Sequence, residues 1–219
     1  MKPMQFSVRH NALVFDLDGT RVDSAADIGR LLGLALQDCG LEPLQPGVRP
    51  PDLHSPLEGI VHGLLAQRHQ TCVPVEAVVS AYRTRQERDT YLTSMLYPGV
   101  VEFLDRCRQR GQRMAVCTNK QQVDAIRMLD HFGLGGFFSH VVGSDSAANA
   151  KPSPDPLLLA LDLLEAAPAD ALMVGDTHVD ALCARQSQVD FLWHRNGYGR
   201  QEVMDHPRAG SFESFADLD

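Results

Sequence analysis

Apolar residues in this chain follow two rhythms. Unbroken runs at Ala12-Leu13-Val14-Phe15, Met114-Ala115-Val116-Cys117 and Ala171-Leu172-Met173-Val174 have the length and composition of strands buried on both faces. Shorter strand signals lie at 137–142 and around Phe191-Leu192-Trp193. Between them the apolar positions shift to helical spacing. Ile28, Leu31, Leu32, Ala35 and Leu36 form one stripe, opened by Ser24 with Asp27 in the first turn and ended at Cys39-Gly40. The pattern predicts further helices over 57–69, 75–95 with Pro74 near its start, from Tyr97-Pro98-Gly99-Val100 to Arg110-Gly111, 121–131 ended by Gly133, 157–164 and 179–185. Pro43, Pro46, Pro50, Pro51 and Pro56 make 41–56 irregular.

Strands alternating with helices predict an α/β fold, a doubly wound parallel sheet with helices on both faces. An all-helical insert interrupts that alternation, so the expected division is 1–23 with 93–219 as the α/β core and 24–92 as a small helical domain. In such sheets working residues gather beyond the carboxyl ends of the strands. Three polar triplets fall at that edge: Asp16-Leu17-Asp18, Thr118-Asn119-Lys120 and Gly175-Asp176-Thr177.

Composition narrows the class. The 219 residues are 44% hydrophobic and 22% charged, as in a soluble globular protein, with room for one good core and a second small one. A formal net charge of -8 without a dense Lys/Arg cluster argues against nucleic acid and anionic membranes as partners. Cys39, Cys72, Cys107, Cys117 and Cys183 are odd in number, scattered and without a C-x-x-C, which fits free thiols in a reducing cytoplasm. The N-terminus has no apolar stretch of signal-peptide length, and no segment approaches a membrane span of about 18 apolar residues. The expected assembly is a monomer or a homodimer.

The chemistry centres on Val14-Phe15-Asp16-Leu17-Asp18-Gly19-Thr20. Period 2 along a strand places both carboxylates on one side, where they repel. A sequence that tolerates this uses the acids for a metal, a proton transfer or a covalent step, unless they are ordinary strand-end turn residues. Gly19 allows a sharp turn, and Thr20 adds a hydroxyl. A calcium loop of the D-x-D-x-D-G type is excluded, because the Gly comes at the fourth position and Arg21 stands at the sixth.

Phe15-Asp16-Leu17-Asp18-Gly19-Thr20-Arg21-Val22-Asp23-Ser24 resembles the opening DxDGTLVDS motif of the haloacid dehalogenase superfamily of phosphatases, departing at Arg21, where the family has an apolar residue. The rest of the chain carries the other motifs in order: Thr118, then Lys151-Pro152-Ser153-Pro154, then Asp176 with Asp180. Within the superfamily, Thr118-Asn119-Lys120, the segment 150–156 and Asn196-Gly197-Tyr198-Gly199 look most like phosphoglycolate phosphatases.

The resemblance implies phosphoryl transfer. Asp16 becomes the nucleophile that forms an aspartyl-phosphate, and Asp18 the proton donor to the leaving alkoxide. Thr118, Asn119 and Lys151 become phosphate-binding residues. Asp16, Asp18 and Asp176 become ligands of Mg²⁺, which the hard oxygen donors suit. Gly19, Thr20, Gly175, Thr177 and Asp180 support them. The bland readings are a strand-end Thr118 capping a helix, an exposed Lys151, and Asp180 as a helix N-terminal acid. The helical insert matches the family's cap, which reads the leaving group. There Arg49-Pro50-Pro51-Asp52-Leu53-His54-Ser55-Pro56 replaces a glycine-rich stretch, so Arg49, His54 and Ser55 are substrate candidates beside Arg21. Arg21 reads either as a surface residue covering apolar area or as a cation at the mouth of the site.

The expected function is hydrolysis of a small phosphate monoester, with 2-phosphoglycolate leading. A sugar-phosphate phosphatase, a phosphomutase and a non-catalytic module of the same fold are the alternatives. His54, His62 and His69 read as surface histidines rather than a metal site, and Met4, Met95, Met114, Met128 and Met173 as core.

Overall fold

The computed structural model describes residues 10–45, 47–70, 72–89, 91–199 and 201–218. The chain divides into two compact units, one built from the residues up to Val22 and from Leu96 onward, the other Asp23–Met95. In chain order the elements are β1 (Ala12–Phe15), β2 (Val22–Asp23), α1 (Ala25–Asp38), α2 (Leu57–Gln67), α3 (Val75–Arg88), β3 (Met95–Leu96), α4 (Val100–Gln109), β4 (Arg113–Cys117) and α5 (Gln122–His131). There follow β5 (His140–Val142), α6 (Asp155–Leu163), β6 (Ala171–Gly175), α7 (His178–Gln186), β7 (Asp190–His194), α8 (Gln201–Met204) and β8 (Gly210–Phe212).

The larger unit is a six-stranded parallel sheet in the order β5-β4-β1-β6-β7-β8. Its strands are apolar on both faces because helices cover both. Ala12 and Val14 of β1, with Ala115, Cys117, Ala171 and Met173, pack against Leu157, Ala160 and Leu161 of α6 and Ala181 and Ala184 of α7. On the other face Phe15 meets Phe103 of α4 and Phe138 edge-on, with ring centroids 6.3 and 6.0 Å away. Phe15 stands opposite Val116 and Val174. That register carries Asp16, Thr118 and Asp176 off three adjacent strands at the same edge.

The smaller unit is helical. Ile28, Leu31, Leu32, Ala35 and Leu36 of α1 pack with Ile60, Val61, Leu64 and Leu65 of α2 and Val78, Val79 and Tyr82 of α3. The chain crosses between the units at β2 and β3, which pair as a two-stranded sheet.

Three expectations need correction. The helix expected over 75–95 ends at Arg88, because the backbone N–H groups of Thr93 and Ser94 donate to the Asp27 carboxylate (3.0 and 2.9 Å) instead of continuing a helix. Met95 is therefore strand, and 63% exposed, while Met114, Met128 and Met173 are buried and Met4 lies outside the described residues. The strand expected from 137 begins at His140, after a turn of 3₁₀ helix at Gly135–Phe137.

Candidate active site

Asp16 follows β1 directly. Its N–H donates to the Val174 carbonyl at 2.9 Å, which ties the residue to β6. The chain then doubles back: Gly19 has φ +81° and its N–H donates to the Val22 carbonyl at 2.8 Å. A Cβ at Gly19 would come within 2.4 Å of Asp176 Oδ2, so conformation and space both demand glycine. Thr20 Oγ1 lies 2.8 Å from Asp176 Oδ1 and 3.4 Å from Asp16 Oδ2, so its single hydrogen goes to Asp176. Asp176 Oδ2 also accepts from the Tyr198 N–H at 2.6 Å, and the Asp176 carbonyl accepts from Trp193 Nε1 at 3.0 Å.

Lys151 sits at the centre of the group. Its ammonium donates to Asp16 Oδ1 (2.8 Å), Asp180 Oδ1 (2.6 Å) and the Cys117 carbonyl (2.8 Å), which uses all of its donors. Its backbone is locked to Asn119: Asn119 Nδ2 donates to the Lys151 carbonyl and the Lys151 N–H donates to Asn119 Oδ1, both at 3.0 Å. Asp180 Oδ2 accepts from the Thr177 N–H (3.0 Å) and hydroxyl (2.8 Å), a capping box that opens α7. Gly175 leaves space for this cap, since a Cβ there would lie 2.5 Å from that of Asp180. Thr118 is buried beside them and its oxygen accepts from the Lys120 N–H at 3.2 Å. The hydroxyl hydrogen is then directed elsewhere.

The structure therefore brings together Asp16, Thr20, Thr118, Asn119, Lys151, Gly175, Asp176, Thr177 and Asp180. Asp18 is close enough to Asp16 to act on its ionisation, and its Oδ2 is 3.0 Å from Lys120 Nζ. Lys120 was passed over as a site residue, although its place in the triplet at the sheet edge was the available signal. Arg49, His54 and Ser55 belong to the helical unit, where Arg49 and Arg30 line a cleft of about 740 Å³ beside α1. Arg21 is a correction: it is fully buried, not a surface residue.

Burial and neighbouring charge shape the ionisation. Burial pushes the Asp16 carboxyl up to about 6; Lys151 opposes this, and Asp180 and Asp18 add to it. Burial, with Asp16 and Asp180 beside it, holds the Asp176 carboxyl well above the usual range. Burial works to lower Lys151, but Asp16 and Asp180 outweigh it and hold the ammonium well above its ordinary value. Carboxylate oxygens of Asp16, Asp176 and Asp180 lie within 4.8 Å of one another, the arrangement a hard divalent cation relieves. Asp180 accepts from the Lys151 ammonium and from Thr177, and Asp176 only from the Thr20 hydroxyl and the Tyr198 N–H, so Asp180 alone of these two already has a cation on it and Asp16 with Asp176 is the pair a metal would serve best.

The haloacid dehalogenase-like hydrolase family model matches residues 13–194. The phosphoglycolate phosphatase of Rhodobacter capsulatus is 33% identical over 213 residues, covering 94% of each chain. That of Aquifex aeolicus is 32% identical over 168 residues, covering 77% of this chain and 76% of its own. In fold, the chain resembles a crystal structure of a predicted phosphoglycolate phosphatase from Haemophilus somnus, with a TM-score of 0.88, 24% identity and 96% of both chains covered. A predicted phosphatase from Clostridium acetobutylicum gives 0.81 at 22% identity, with 95% of both covered. Among the described residues no helix is long and apolar enough to cross a membrane.

Proposed function

Because this chain belongs to the haloacid dehalogenase-like hydrolases, we propose that it is a Mg²⁺-dependent cytoplasmic phosphatase of small phosphate monoesters, with 2-phosphoglycolate its leading substrate. The observation that carries this reading is Lys151, buried and bound to both Asp16 and Asp180, beside Asp176. A fully engaged ammonium among three buried carboxylates fixes one of them, Asp16, for attack rather than simply neutralising charge.

Asp16 attacks phosphorus through its carboxylate and forms an aspartyl-phosphate; the alkoxide leaves with a proton from Asp18. Water then attacks the aspartyl-phosphate, and Asp18 takes its proton. The Thr118 hydroxyl holds a phosphate oxygen, the Lys151 ammonium turns one of its three N–H groups from its protein acceptors to another, and Asn119 keeps the Lys151 backbone in place. Asp16 and Asp176 would hold the metal, which when bound offsets the charge of the phosphate oxygens. Thr20 and the Tyr198 N–H orient Asp176. The helical unit, which resembles a cap, would read the leaving group with Arg49, His54 and Ser55. The substrate rests on the phosphoglycolate phosphatases named among the relatives.

The test is phosphate release from a panel of monoesters by wild type and Arg49→Ala, with and without chelator. The expected result is Mg²⁺-dependent turnover with 2-phosphoglycolate preferred, and selective loss of that preference in the variant. A sugar phosphate ahead by tenfold, about 1.4 kcal/mol of transition-state preference, would remove the substrate assignment and keep the phosphatase. Conversion of a sugar phosphate to its isomer without free phosphate would mark a mutase. Full turnover in excess chelator would remove the metal.

A further inference from the structure

Arg21 stands where the first motif of the family carries an apolar residue. Its guanidinium is fully buried between two rings, 4.3 Å from the Phe138 centroid and 5.2 Å from that of Phe15. Nε donates to the backbone carbonyl of Asp16 at 3.0 Å. Among the described residues neither Nη1 nor Nη2 has a hydrogen-bond partner. Burial pushes this group down to about 9, with Asp16 and Asp18 pulling the other way, so it remains a cation at neutral pH.

For packing alone this is a poor choice. A buried charge with most of its donors unmatched is costly, and two ring faces return only part of that cost. An apolar side chain would pack between Phe15 and Phe138 without that cost. The electrostatics of the site give the arginine a use. Asp16, Asp176 and Asp180 formally carry three negative charges. Lys151 is the one ammonium among them, paired with Asp16 and Asp180. Three minus one leaves two negative charges, in a site that must receive a phosphate dianion. Arg21 adds a second buried cation directly behind Asp16 and reduces the excess to one. It does so without occupying an oxygen of any carboxylate, because its one hydrogen bond goes to a main-chain carbonyl.

We propose that Arg21 is a positioning residue and the built-in counter-charge of this site, holding the Asp16 main chain and shifting the balance of binding from divalent cation toward phosphate. The proposal rests on the metal and phosphate reading given above. Even through a dielectric near that of water, a unit charge several ångströms from a divalent ion changes its affinity by about tenfold. It acts with opposite sign on a cation and an anion, which separates it from a packing defect that weakens both.

The experiment is calorimetric titration of the full chain with Mg²⁺ alone, and with inorganic phosphate at saturating Mg²⁺, for wild type, Arg21→Leu and Arg21→Lys. Arg21→Leu should bind Mg²⁺ about tenfold tighter and phosphate about tenfold more weakly, and Arg21→Lys, which keeps an ionisable group but loses the planar guanidinium stacked on the rings, should shift both less than the leucine variant does. Arg21→Met serves if the leucine variant does not fold by circular dichroism. Wild-type Mg²⁺ affinity in Arg21→Leu, or equal shifts in the leucine and lysine variants, overturns the counter-charge. Absence of Mg²⁺ binding to wild type overturns the metal reading itself and this inference with it.

Discussion

Asp16 at the sheet edge and Asp27 in the helical unit are the same residue at similar depth, 7% and 3% exposed, yet they ionise in opposite directions. Burial works to raise both. At Asp27 it is overcome by the Ser94 hydroxyl (2.7 Å), the N–H groups of Thr93 and Ser94, and Arg30 Nε (3.1 Å), so the carboxyl lies below the usual range. At Asp16 burial prevails, because Lys151 is shared with Asp180 and other acids crowd in. The first carboxylate has its hydrogen bonds complete and clasps the two ends of the helical insert. The second is underserved, and that deficit is what a cation or a phosphate would fill. Burial alone marks neither function nor stability; the difference lies in how completely each charge is answered.

The largest effect that would break the contrast is chemical. Asp16→Asn should lower kcat by at least about 10³-fold, because an amide cannot form the acyl-phosphate, while the melting temperature holds or rises. Retention of near wild-type turnover would falsify the covalent role. Next comes stability. Asp27→Ala removes the acceptor of the Thr93 and Ser94 N–H groups and of the Ser94 hydroxyl, which are only partly shielded from water, and should destabilise the helical unit by about 1–2 kcal/mol. Denaturant unfolding and limited proteolysis within 23–95 measure it; an unchanged midpoint would remove Asp27 as a clasp. The pH signature follows from the lowered pKa. Asp27 contributes stability above the ordinary carboxylate range, and that stability is lost as pH falls through its folded value, so Asp27→Asn should flatten the acid limb of the stability curve.

The smallest effect concerns His194, packed between Tyr97 and Phe212 with Nδ1 3.1 Å from the Gly19 carbonyl. Burial holds this imidazole below its ordinary value of 6.5, so unfolding takes up a proton. Its contribution is complete above 6.5 and declines as pH falls below it. His194→Phe should reduce the slope of melting temperature between about pH 5 and 6.5. An unaltered slope would show that other groups carry it.

The sheet was legible because buried parallel strands leave continuous apolar runs, and β1, β4 and β6 are such runs. β8 was not, since Gly210-Ser211-Phe212 offers a single large apolar residue. The end of α3 was hidden because the acceptor that captures Thr93 and Ser94 lies 66 and 67 residues earlier. The candidate site was legible in its residue types, and Asp16, Lys151 and Asp176 do meet. Lys120 was in plain view, but its approach to Asp18 depends on how two loops fold. Arg21 misled because a charged side chain is ordinarily exposed; only the tertiary placement of Phe138 over Phe15 encloses it.

All of the candidate core residues leave the sheet by one edge, and this sets where the chain can be edited. At the opposite edge Asn11 links the strand starts, its N–H donating to the Asp170 carbonyl and its carbonyl accepting from the Arg113 N–H. Between α4 and β4, Gly111 turns with φ +71° and has open space around it. A peptide inserted there lengthens a turn and meets no reacting group, whereas the same insertion after Lys120 would separate Thr118 and Asn119 from Lys151. The molecule has a wiring side and a working side, and a designer can lengthen, tag or splice the first without retuning the second.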